Sequence, residues 1–162
     1  MLLVPISTAR AAKVSFLQFC QALAGEWRGS SAGPNDPPLL VTVTGVCSAD
    51  NRQLMLSVSQ NAQHPFSETW WFRDKGEQVL LTYFDGVDED KQQLFSLYLQ
   101  NGDYSLLGEG QLSGRPALIQ LLFETHNHGW QWRQNAQYLD DDSERYRLFR
   151  GIEMQPSAAA SH

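Results

Sequence analysis

The sequence predicts a mostly β fold: an antiparallel up-and-down β-barrel of about eight to ten strands with a short helix ahead of the first. Three observations predict it. From Gly25 to Met154 apolar and polar side chains alternate, the period of a strand with one buried face. Tight turn formers punctuate that alternation at short intervals, which forces neighbouring strands to run antiparallel. No segment of helical period lies between any two strands, so no crossover is available.

Each element follows from its residues. Residues 1–14 show no clear period and are read as an N-terminal extension. Ser15 can cap a helix, and Gln18 stands three residues later, as in a capping box. Phe16, Phe19, Cys20 and Leu23 share one helical face, and Gly25 suits a left-handed helix end. A short strand is expected at Glu26–Ser30, followed by a loop from Ser30 to Pro38 rich in Gly, Pro, Asn and Ser. Strands are then expected at Leu39–Cys47, Gln53–Gln60, Phe66–Arg73, Gln78–Phe84, Leu94–Gln100, Tyr104–Leu112, Ala117–Thr125, Trp130–Leu139 and Arg145–Met154. Asn101-Gly102 is the strongest hairpin signal, because both residues tolerate positive φ. An open meander of this length leaves two unpaired edges; closure into a barrel removes both, with a two-sheet sandwich as the structural competitor. Residues 15–155 form one domain on this reading, and 156–162 a disordered tail.

Composition narrows the function. The 162 residues are 42 % hydrophobic and 19 % charged, a globular balance, with five Trp to fill a core or line a cavity. The net charge is −6, and the one basic cluster, Arg145, Arg147 and Arg150, follows Asp140, Asp141, Asp142 and Glu144. Neither nucleic acid nor an anionic membrane is therefore an expected partner. Cys20 and Cys47 sit in no motif; a single disulfide is left open, and two thiols used as small buried hydrophobes fit a reducing, cytoplasmic setting. Pro5 interrupts the first apolar run, and no basic segment precedes it, so a signal peptide is not expected.

The segment Ala24-Gly25-Glu26-Trp27-Arg28-Gly29 resembles the Gly-x-Trp start of lipocalins and related calycins. The resemblance covers the layout from Ser15 to Met154, and only the tripeptide carries residue identity. It implies that Trp27 closes the bottom of a barrel and that Arg150 or Arg147 packs over it. Within the superfamily the chain looks closest to small bacterial lipocalin-like proteins of unknown function. The haem-binding nitrobindin branch implies a His near the end of the last strand, and Glu144–Met154 has none. A phycobilin-type chromophore lyase is the enzyme alternative; the Arg-rich segment associated with that branch is absent, and Trp130-Gln131-Trp132-Arg133 is its one point of contact.

Candidate site residues come from the alternation. One face of Phe66–Arg73 carries Phe66, Glu68, Trp70 and Phe72, placing a carboxylate among rings. One face of the next-to-last strand carries Trp130, Trp132, Gln134, Ala136 and Tyr138, opposite Tyr146, Leu148, Arg150 and Ile152. Tyr83 and Tyr98 join if their strands face inward. A wall of Glu68, Trp70, Tyr83, Tyr98, Trp132, Tyr138 and Arg150 suits a small apolar or amphipathic ligand, mostly rings with a few fixed polar groups. Glu68 in such a wall could instead serve as a general base. A third reading is an interaction module, such as a homodimer, with no ligand at all. Glu124, His126 and His128 have the spacing of a metal site, but Asn127-His128-Gly129 reads as a turn that breaks their common face. No cofactor, phosphate-loop or nucleophile motif occurs; His64 and His162 have no partner by spacing.

Overall fold

The fold is known from a computed structural model that describes residues 12–60, 67–141 and 145–157. A two-residue strand β1 (Ala12–Lys13) precedes helix α1 (Phe16–Leu23). Ten longer strands follow: β2 (Gly25–Ala32), β3 (Leu39–Cys47), β4 (Gln53–Gln60), β5 (Ser67–Asp74), β6 (Val79–Phe84), β7 (Lys91–Gln100), β8 (Asp103–Leu112), β9 (Arg115–His126), β10 (Gly129–Tyr138) and β11 (Arg147–Pro156). All pair antiparallel with their neighbours in sequence, β11 returns to β2, and β7–β8 completes the ring. The result is a closed up-and-down barrel, not a sandwich. The small strand β1, which the sequence period did not indicate, extends the edge of β7 opposite Tyr98 and Leu99. At the 101–102 turn, Asn101 and Gly102 both take positive φ, the conformation this hairpin needs.

Antiparallel order puts the connections at two ends. Helix α1 sits at the end where β2 begins and β3 finishes. Its buried stripe is the expected one, Phe16, Phe19, Cys20 and Leu23. The ring of Phe19 meets Phe72, Tyr104 and Phe123 edge-on at 5.3–5.5 Å, so the helix plugs this end. The predicted capping box does not form; the Ser15 side chain makes no cap bond, and its carbonyl accepts from the Gln18 N–H at 3.2 Å. Gly25 does not end the helix in a left-handed turn either. It opens β2 at φ +135°, and the Trp27 indole donates to the Leu23 carbonyl at 3.1 Å. That bond satisfies a helix-end carbonyl a glycine cap would otherwise have served.

Two features fix the helix to the wall. Cys20 and Cys47 are joined in a disulfide, with Cα atoms 5.4 Å apart, which corrects their reading as free buried thiols. At Gly45 on β3 the Leu23 carbonyl comes so close that a Cβ would lie 2.1 Å from its oxygen. Because that atom is backbone, it cannot rotate away. Gly45→Ala should therefore cost about 2 kcal/mol through displacement of α1, measured by urea unfolding; an unchanged midpoint would show that the helix floats on the wall.

The core is continuous from the helix to mid-barrel. Trp132, Phe72, Phe123, Leu54, Leu56, Leu106 and Ile152 are fully enclosed. Trp70 on β5 and Trp132 on β10 stand five strands apart in a ring of ten, yet their rings meet at 4.8 Å. The two opposite walls thus touch, and the lumen at this level is filled by side chains.

Candidate functional site

Above the Trp70–Trp132 contact, toward the end away from α1, the interior turns polar. Glu68 on β5 follows Trp70 in the inward series, and Arg150 on β11 follows Ile152. Their strands lie four apart around the barrel, so the pair reaches across the lumen. Arg150 Nη1 donates to Glu68 Oε1 at 2.7 Å, and Nη2 to Oε2 at 2.5 Å, the two-point geometry that guanidinium and carboxylate favour. Arg150 Nε donates to Ser31 Oγ at 2.8 Å, and the Tyr83 hydroxyl donates to Glu68 Oε1 at 2.7 Å. The Trp70 and Tyr83 rings sit 4.5 Å apart, which joins this network to the aromatic layer below. Burial, and then the hydrogen bond to Glu68, pushes the Tyr83 phenol well above its ordinary value and keeps it a donor.

The same region holds polar atoms with no protein partner. The indole N–H groups of Trp70 and Trp132 and the amide nitrogens of Gln93 and Gln134 are shielded from solvent and make no hydrogen bond. All four are donors on inward-facing positions. Gln134 is the cross-strand neighbour of Arg150. Gln93 lies over Gly108 and Gly110 on β8, where the absence of a Cβ makes room for its amide. Buried donors normally find acceptors, so four unpartnered ones in one region mark it out.

The interior collects Glu68, Trp70, Tyr83, Trp132 and Arg150, five of the residues predicted from alternation. It does not collect Tyr98 or Tyr138. Tyr98 alternates with the buried Phe95 and Leu97, so it faces outward beside β1. Tyr138 keeps the inward phase of β10 but lies at its last residue, where the Arg115 guanidinium stacks on its ring at 3.7 Å. Arg115 also pairs with Asp140 at 2.6 Å and Asp141 at 3.2 Å. Leu148 and Tyr146, expected to face inward with Arg150, are exposed. A bulge sets them so: Gln134 pairs with Arg150 but Asn135 with Leu148, and the extra residue reverses the phase of β11 beyond it.

The expected stacking of Arg150 or Arg147 over Trp27 does not occur. In the β2–β11 ladder Trp27 is opposite Pro156, whereas Gly151 is opposite Ala32. Arg150 is thus six strand residues away from Trp27, roughly 20 Å at the rise of a strand. Ser31 and Gln93 were missed in the sequence. Nothing local singles out Ser31. Gln93 would have joined the inward series with Phe95 and Leu97 had the strand been started at Lys91 rather than Leu94. Phe66, His64 and His162 lie outside the described residues. Asn127 and His128 both take positive φ, so the turn does separate His126 from His128, and no metal-holding cluster occurs among the described residues.

The end away from α1 is ringed by apolar side chains. Leu39, Leu40, Phe84, Val87, Leu139, Leu148 and Phe149 all lie there, and Leu40 and Val87 are each 73 % exposed. Two open clefts elsewhere lie outside the barrel wall, one beside Trp71 and Arg73 and one at the 127–128 turn, and neither reaches the network. No helix among the described residues is long and apolar enough to cross a membrane. No protein-family profile matches the chain, and no curated protein is significantly similar to it.

The ion pair makes a direct prediction. Its side chains are only 24 % and 15 % exposed, so removing one leaves the other charge poorly solvated. Arg150→Met should destabilise by about 3 kcal/mol, while Glu68→Met/Arg150→Met, which leaves neither charge, should lose far less. Urea unfolding of the two singles and the double measures the coupling; equal losses in all three would mean the pair contributes nothing specific.

Proposed function

We propose that the protein binds a small amphipathic molecule in the upper lumen, above the Trp70–Trp132 contact and beside the Glu68–Arg150 pair. The observation that carries this reading is the set of four buried, unpartnered donors on inward-facing positions, with Trp70 against Tyr83 and Gln134 opposite Arg150. A folded protein seldom leaves such groups unsatisfied unless another acceptor reaches them. At the rim Leu39, in the inward phase of Val41 and Val43 on β3, supplies apolar surface for the rest of the ligand.

Of the apolar or amphipathic ligands the sequence suggested, the amphipathic kind fits this interior. The lower lumen is filled by Trp70, Trp132 and Phe123, so what binds does so above them and meets polar groups. General-base chemistry at Glu68 finds no support: Oε1 accepts from Arg150 and Tyr83, and Oε2 from Arg150. The helix-plugged end, the Gly25-Glu26-Trp27 start and the hairpin order support the lipocalin-like reading at the level of layout. The disulfide weighs against a cytoplasmic setting, because such a cross-link persists where the surroundings are oxidising.

Native purification followed by mass spectrometry of the extracted small molecules tests the proposal. A stoichiometric amphipathic compound is expected, lost from the Trp132→Phe/Gln134→Leu variant, which keeps the ion pair but lacks two donors. If the native protein carries nothing and an amphiphile library shifts none of its tryptophan indole resonances, the proposal falls.

A further inference from the structure

We infer that the upper-lumen site selects an uncharged ligand bearing a carbonyl-type acceptor, such as an amide or ketone, over a carboxylate, and that Glu68 sets this choice. The inference rests on the binding reading above and adds the chemistry of the ligand's polar group.

Two observations carry it. The first is the hydrogen-bond inventory. The two buried indoles, Trp70 and Trp132, are donors only and have no partner, and the inward-facing amides of Gln93 and Gln134 have unpartnered N–H groups beside them. The remaining unpartnered atom that is an acceptor, Glu124 Oε1, alternates with the buried Leu121 and Phe123 on β9 and so faces outward, beside the Arg133 guanidinium at 3.2 Å. A complementary ligand therefore brings acceptors, and a carbonyl oxygen with two lone pairs can take two of the N–H groups.

The second is charge. Arg150 is the cation best placed to hold a carboxylate, and Glu68 already engages both of its terminal nitrogens. The pair is neutral as a unit. The Tyr83 hydroxyl is spent on Glu68, and Ser31 Oγ accepts from the Arg150 Nε. At the rim Arg115 is matched by Asp140 and Asp141, while Arg147, opposite Ala136, and Lys91, opposite Tyr83, are exposed to water, where an ion pair with a ligand is worth little. An entering carboxylate would place a second negative charge beside Glu68 in a region shielded from water, an arrangement strongly disfavoured. A neutral carbonyl brings no such charge and still satisfies the donors.

The test uses octanamide and octanoate, two probes of equal chain length, titrated into the native protein at pH 7.5 by calorimetry, with the indole N–H resonances of Trp70 and Trp132 followed by nuclear magnetic resonance. Octanamide should bind at least about tenfold more tightly and shift both resonances, since only the anion meets the Glu68 carboxylate. In Glu68→Gln, Arg150 loses its counter-charge, and the order should invert in favour of octanoate. Octanoate binding the native protein as tightly as octanamide would overturn the inference while leaving the binding reading intact, as would an unchanged ratio in Glu68→Gln. If neither probe binds nor moves an indole resonance, the binding reading and the inference fall together. Should Glu68→Gln not fold, the ratio in the native protein decides alone.

Discussion

Trp132→Ala should destabilise the protein by about 4 kcal/mol, the largest effect expected of any single side chain here. Trp132 is fully enclosed, stacks on Phe123 at 5.0 Å and meets Trp70 from the opposite wall at 4.8 Å. Truncating it removes the contact that bridges the barrel and leaves a cavity bounded by rings on stiff strands, which cannot collapse to fill it. For a domain of this length the loss corresponds to roughly 8–16 °C in Tm. Trp132→Phe separates packing from hydrogen bonding. It keeps a ring between Phe123 and Trp70 and deletes an indole N–H that has no protein partner, so the packing loss is offset by removing an unsatisfied donor. A loss under about 1.5 kcal/mol is expected for it. Thermal and urea unfolding of both variants check this. If Trp132→Ala lost no more than Trp132→Phe, the walls would not be held together through this contact.

The second large effect belongs to the Cys20–Cys47 disulfide. It closes a sequence separation of 27 residues. The chain-entropy relation assigns such a loop about 3.5 kcal/mol, because the cross-link removes conformations from the unfolded chain. Cys20→Ala/Cys47→Ala should therefore unfold at clearly lower urea than the native protein. Native protein treated with a phosphine reductant should approach the double variant, whose own midpoint the reductant leaves alone. Thiol titration of the denatured, unreduced protein should find no free thiol. Two free thiols, or a midpoint indifferent to reductant, would contradict the cross-link. Since α1 also docks through Phe19 and the close approach at Gly45, the reduced protein should keep its barrel and lose mainly the plug at the helix end.

The two experiments probe different levels of the interior. The disulfide tethers the apolar lower plug, and Trp132 marks the layer where that plug meets the polar network. A ligand bound above Trp132 should raise the stability of the native protein in proportion to its concentration over Kd. It should do so equally in the reduced protein, because Arg150, Glu68 and the amides of Gln93 and Gln134 lie toward the other end of the strands.

What the sequence determined by itself is what depends on neighbouring residues alone. Strict alternation specified β3 at Leu39–Cys47 and β4 at Gln53–Gln60 to the residue, because a strand with one buried face repeats every two positions. Helical spacing specified the face of α1, and Asn101-Gly102 its hairpin. Alternation also brought Glu68, Trp70 and Trp132 to inward positions one strand at a time. What only the tertiary structure decided depends on closure. Arg150 meets Glu68 because the ring sets β11 across from β5, and that choice of partner over Trp27 is a matter of strand register that no local pattern encodes. The bulge after Gln134 reverses Leu148 for the same reason, since one extra residue in a ladder alters facing without altering the sequence period. The bond between Cys20 and Cys47, and the buried donors of Trp70, Trp132, Gln93 and Gln134, likewise exist only once distant strands share one interior.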